Sequence, residues 1–217
     1  MYLSVKNLKV SKVMDSSSKK NLGGRPLEFC LETALEAATG VFASKGFEAA
    51  SLNDLCSAMG INRPSLYLHF GNKEALYLKS LERYSRMSAQ DLETCLSDPS
   101  ARAGVERRLR EVVMTSTDPH GPGVCFTTQG PLKSRTASAG IREELARWRG
   151  TTALRLRARF DKAVMDGELS PSTNTESLAN YYTVLMQGLA AQAQDGGERA
   201  ALLNVLDVAM AAWPASR

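Results

Sequence analysis

Between residues 46 and 73 the chain carries stop and start signals for helices at intervals so short that only a cluster of small helices satisfies them all. Gly46 stands where a left-handed C-terminal cap is wanted, after a run in which Leu31, Leu35, Ala38 and Phe42 recur at helical spacing. That spacing predicts a first helix over residues 27–45, with Phe47 closing back on Phe42. Ser51 followed by Asp54 is a capping-box-like start, because the hydroxyl accepts an orphan backbone N–H and the carboxylate answers it. A short helix then carries Leu52, Leu55 and Ala58 inward and stops at Met59, with Gly60 as cap and Ile61 packing back on Leu55 or Cys56. Asn62 caps a third helix, Pro64 falls in its first turn, where a missing N–H costs nothing, and Leu66 and Phe70 face the core. Gly71 breaks the chain and Asn72 caps again. A long helix follows from Lys73 to about Leu96, presenting Leu76, Leu81 or Ser80, and Tyr84 at helical intervals.

The composition agrees with an all-α chain. Ala and Leu supply 27 residues each against 12 Val and 2 Ile, which favours helices because β-branched side chains lose rotamer freedom there. With 43% hydrophobic and 23% charged residues, the chain is neither wholly disordered nor collagen-like. Its 217 residues are enough for a small module joined to a larger one. Pro99 and Ser100 precede a helix around residues 105–114, and residues 118–123 form a Pro/Gly loop. After a short segment around residues 125–132, one apolar stripe of Ile141, Leu145, Trp148, Thr152, Leu156, Phe160 and Ala163 runs along a strongly charged helix.

The last two helices, residues 176–194 and 200–213, carry one charge each, Glu176 and Asp207. Helices so poor in charge need cover on more than one face, and self-association supplies it. Leu178, Tyr181, Leu185 and Leu189, with Leu202, Leu206, Ala209 and Trp213, are the expected half of a four-helix homodimer interface. Residues 177–194 hold no charge, but Asn180, Gln187, Gln192 and Gln194 suit a protein interior and not hydrocarbon, so no membrane partner is expected.

The net charge of +4 is unevenly placed. Residues 1–25 carry +5 and read as a basic flexible arm ending in Gly23, Gly24, Arg25 and Pro26, while residues 26–77 sum to −3. Met14 is an alternative start residue. Cys30, Cys56, Cys95 and Cys125 show no metal or disulfide spacing, and the N-terminus lacks the apolar stretch of a secretory signal, so reduced thiols and a cytoplasmic location are expected. No metal or cofactor site is indicated. Catalysis is not expected either: of two histidines, His69 lies on the third helix and His120 in the Pro/Gly loop, and neither GxxxxGK[ST] nor GxGxxG occurs.

Residues 51–70 have the layout of a helix-turn-helix, whose second helix enters the major groove of DNA. Its outer face carries Arg63, Ser65, Tyr67 and His69, with Asn62 and Pro64 at the N-terminal end. Arg donates twice to guanine, Pro touches a thymine methyl, and Ser, Tyr and His reach phosphates. Lys73 adds a cation at a positive helix end, a good phosphate site.

The stretch from Ala43 through Gly46-Phe47, Ser51-Leu52-Asn53-Asp54-Leu55 and Ala58-Met59-Gly60-Ile61-Asn62-Arg63-Pro64-Ser65-Leu66-Tyr67-Leu68-His69-Phe70-Gly71-Asn72-Lys73-Glu74-Ala75-Leu76 resembles the DNA-binding domain of TetR/AcrR-type transcriptional regulators. Residues 124–130 look like a Gly-Cys-Leu-type segment of one AcrR-like subgroup, with Val124 where Gly is usual. The resemblance implies an all-α homodimer: a DNA-binding domain over residues 26–77 and an effector and dimerisation domain over 78–217, about nine helices in all. It implies repression through a double-stranded DNA operator contacted by Arg25, Ser51 and the helix residues above, with release by an unidentified small molecule. Met114, Phe126, Gln129, Trp148, Tyr182 and Met186 are the candidate pocket lining. A redox or electrophile sensor centred on Cys125 is the alternative, while Cys30 and Cys56 read as packing residues.

Overall fold

The computed structural model describes residues 30–118 and 139–214, and the regular elements among them are eight helices. They are α1 (Leu31–Ala49), α2 (Leu52–Met59), α3 (Arg63–Phe70), α4 (Lys73–Leu96), α5 (Ala101–Ser116), α6 (Ala139–Met165), α7 (Thr175–Gln194) and α8 (Arg199–Ala211). The expected arm, most of the Pro/Gly loop and the segment around Cys125 lie outside the described residues.

The predicted end of the first helix at Lys45 is a kink. Gly46 leaves the helix at φ 75°, ψ 176°, a conformation that costs glycine nothing, and one more turn carries the chain to Ala49. Phe42 and Phe47 stack across that kink at 6.5 Å, and Tyr77 meets both edge-on at 5.0 and 5.1 Å. Burial pushes the Tyr77 hydroxyl up to about 12. In α2 the inward position after Leu55 is Met59; Ala58, expected inside, is exposed, because the buried face follows the i, i+4 row.

Two hydrophobic clusters organise the chain. One joins α1 to α4 through Ala38, Phe42, Leu55, Leu66, Phe70, Leu76 and Leu81, and takes in Ile141 and Leu145 from the start of α6. The other packs Leu92 and Leu96 of α4 against Val105, Leu109 and Val113 of α5, Leu156 and Phe160 of α6, and the inner faces of α7 and α8. The helices α4 and α6 therefore belong to both. The single stripe read along α6 serves two cores, with Trp148 and Thr152 half-buried between them. Each fully buried Leu or Phe contributes about 1.5–3 kcal/mol.

The expected dimer face needs correction. Leu189, Leu202, Leu206 and Ala209 are buried in the chain's own second core, so their side chains are already covered. Leu178, Leu185 and Trp213 are half-buried against the same core, and of the eight only Tyr181 is exposed. The exposed large apolar side chains of these two helices are Tyr181 and Val184 on α7 and Val205 and Val208 on α8.

Candidate nucleic-acid interface

Short-range chemistry builds the helix-turn-helix. Ser51 Oγ accepts from the Asp54 N–H at 3.1 Å, and Asp54 Oδ2 accepts from the Ser51 N–H at 3.0 Å, which closes the capping box that starts α2. Asp54 also accepts from Lys45 Nζ at 2.7 Å. Lys45 first and Ser51 second hold its carboxyl down at about 2. The Ser51 hydroxyl is occupied in this cap, donating to Asp54 Oδ2 at 2.8 Å. Gly60 ends α2 in the left-handed region at φ 66°, and the Ile61 N–H closes on Cys56 O at 3.1 Å. Asn62 Oδ1 then accepts from the Ser65 N–H at 2.9 Å and starts α3.

Leu66 and Phe70 are buried and fix α3 to the first core, which turns its other side to solvent. Asn62, Arg63, Pro64, Tyr67 and His69 are exposed there, and Ser65 is half-exposed. Arg63 Nη2 donates to Asn53 Oδ1 of α2 at 2.9 Å, so the guanidinium is held across the turn. Lys73 is the first residue of α4. Its Nζ donates to Glu48 O at 3.2 Å and sits 4.7 Å over the Phe47 ring, and burial lowers its pKa. As placed, Lys73 ties the start of α4 to the end of α1. Sequence spacing passed over Leu68, the most exposed large apolar side chain of α3. Arg25 lies outside the described residues.

Of the candidate pocket residues, Met114, Trp148, Tyr182 and Met186 lie among the described ones. Tyr182 and Met186 are buried in the second core, where Tyr182 lies 6.1 Å from Phe160 and 5.6 Å from Trp213, ring to ring. Trp148 faces Tyr84 of α4 at 6.4 Å, Met114 is exposed on α5, and Phe126 and Gln129 lie outside the described residues. An open hollow of about 590 Å³ is lined by Ser170, Ser172, Asn174, Ser177 and Tyr181, among others. Cys30, read as a packing residue, is exposed at the N-cap of α1, since the buried row of α1 begins at Ala34. Cys56 is half-buried against the first core; Cys95 is buried and its thiol is pushed up to about 11 by that burial. Cys125 lies outside the described residues. Among the described residues no group of His, Cys, Asp and Glu is arranged to hold a metal, and no helix is long and apolar enough to cross a membrane.

A capped two-helix unit that presents one exposed helix, mounted on a larger helical body, defines a helix-turn-helix DNA-binding protein. Comparison with known proteins narrows the class. Residues 34–79 match the family described as bacterial regulatory proteins, tetR family, and residues 104–208 match the tetracyclin repressor-like C-terminal domain. The chain is 26% identical over 197 residues to the HTH-type transcriptional repressor ComR of Escherichia coli K12, covering 90% of this chain and 94% of ComR. It is 28% identical over 185 residues to the repressor BdcR of the same organism, covering 84% of this chain and 88% of BdcR. A cysteine mutant of the TetR family regulator CifR, complexed with a 26-bp double-strand operator DNA, superposes with a TM-score of 0.79 at 37% identity, covering 88% of this chain and 100% of that one. The chain belongs to the tetR family of helix-turn-helix transcriptional regulators.

Proposed function

We propose that the protein is a cytoplasmic repressor without catalytic activity, which binds a near-palindromic operator as a homodimer and leaves it when a small molecule binds. The observation that carries this reading is α3: Leu66 and Phe70 hold it down while Asn62, Arg63, Pro64, Tyr67 and His69 face outward. Arg63 reads guanine, and Ser65, Tyr67 and His69 reach phosphates or base edges. Ser51 and Lys73 keep supporting parts, the first through its cap and the second by fixing α4. Arg25 and the basic arm add contacts to phosphate or the minor groove. CifR, 37% identical, has been seen on operator DNA, which supports the same partner here.

Residues 26–77 form the reading unit and residues 78–217 the effector and dimer unit. The exposed Tyr181, Val184, Val205 and Val208 are the side chains that a second copy covers. A two-fold axis there sets the α3 helices of the pair about 34 Å apart, or a multiple of it, in major grooves on one side of the duplex. Because α4 and α6 enter both cores, a ligand that repacks the second core shifts the head that α3 rides on. Among the described residues, Trp148, facing Tyr84 where α6 meets α4, and Met114 on α5 are the exposed or half-buried members of the proposed lining.

The test is selection of fragments from the organism's own genomic DNA by the full chain. Recovery of near-palindromic sites upstream of genes supports the reading, and recovery of no fragment above background refutes it. Val184→Glu with Val208→Glu is expected to give a monomer by light scattering, with operator affinity lost.

A further inference from the structure

We infer that Leu68, with Pro64 one turn before it, reads the 5-methyl group of a thymine and so fixes a T·A pair in each operator half-site. The inference rests on α3 being the helix that enters the major groove. Along a helix each residue turns by about 100°, which puts Leu68 about 160° from both Leu66 and Phe70. Those two define the inward direction, at 0% and 5% exposure, and Leu68 is 80% exposed directly opposite them. Pro64 lies within about 40° of Leu68 on the same outward row. Ser65 and His69 then stand on one flank of that row, and Tyr67 and Arg63 on the other.

Packing among the described residues gives Leu68 no reason to be leucine, because it is 80% exposed there. It has no donor and no acceptor, so it serves neither a phosphate nor a polar base edge. At the middle of an outward helix face, flanked by polar side chains, the one major-groove feature that matches it is apolar. That feature is the thymine methyl, which cytosine lacks and which distinguishes T·A from A·T by the side on which it lies. The polar flanks supply positioning and affinity, and the apolar row supplies a choice of base that hydrogen bonding would not make.

The experiment uses the full chain and a duplex that it selects from a random-sequence library. Each half-site thymine is replaced in turn, symmetrically, by deoxyuridine, which removes the methyl alone. At one position the wild-type chain is expected to lose about 4-fold in affinity per half-site, about 15-fold for the duplex, the equivalent of one buried methyl on each side. Leu68→Ala is expected to lose affinity on the parent duplex and to be indifferent to uracil at that position. In a fresh selection, Leu68→Gln is expected to abandon thymine there. Indifference of the wild type to uracil at every position, or an equal uracil penalty in Leu68→Ala, overturns the assignment while leaving the recognition helix intact. Failure of the wild type to select any duplex removes the recognition helix and this inference together.

Discussion

Arg159 Nη2 donates to Glu168 Oε1 at 2.9 Å, and this pair closes the far end of α4. The same guanidinium donates to Leu96 O, Asp98 O and Pro99 O at 3.0–3.1 Å, while Glu168 Oε2 accepts from the Ala101 N–H at 2.7 Å. One buried arginine thus meets carbonyls at the end of α4 and in the turn to α5, and its partner meets the first amide of α5. Arg159→Met keeps the aliphatic stem but strands the carboxylate and three carbonyls. The expected loss is about 3–5 kcal/mol in urea unfolding, as for other broken buried pairs, against a smaller loss for Glu168→Gln. Equal stability of Arg159→Met and wild type would show that the pair does not hold α4.

The capping box at Ser51 gives the head an acid-sensitive element. The folded Asp54 carboxyl sits at about 2, below its ordinary 3.8, so its contribution is present above pH 3.8 and is lost as the pH falls toward 2. In Asp54→Asn that limb is absent. Thermal midpoints of the two proteins are expected to converge between pH 4 and pH 2, with wild type the more stable above that window. Ser51→Ala is expected to cost about 1 kcal/mol at neutral pH.

Gly104 lets α5 lie against the backbone of α4. A Cβ there would lie 2.3 Å from the Cys95 carbonyl oxygen, a backbone atom that has no rotamer to swing away. Gly104→Ala is therefore expected to destabilise by about 1–3 kcal/mol despite the better helix propensity of alanine. At Gly150 nothing lies within 4 Å, and Gly150→Ala in α6 is expected to gain about 0.5–1 kcal/mol. Chemical denaturation of both variants checks the opposite signs.

The head was legible in the sequence because its signals act over three or four residues. The Ser51–Asp54 box, the Gly60 cap and the Asn62 and Asn72 caps are each made by groups adjacent in the chain. The body was less legible. Along α8 apolar residues occur on every side, so periodicity could not tell Leu202, Leu206 and Ala209, which are buried, from Val205 and Val208, which are exposed. Arg159 looked like one more charge on a charged helix, and only tertiary contact shows the carbonyls it meets. Leu68 is apolar but stands opposite Leu66, and hydropathy alone does not tell such an exposed leucine from a core one. The bond from Lys73 to Glu48 O spans 25 residues, a separation that helix-end signals do not carry.

DNA reading by α3 is measured most directly by the operator affinity of Arg63→Ala and Tyr67→Ala. Both side chains are exposed, so the variants should keep the fold and the dimer. On the selected operator each is expected to lose roughly 10- to 100-fold in Kd at fixed salt, with unchanged mass in solution. Wild-type affinity in both variants would contradict the account.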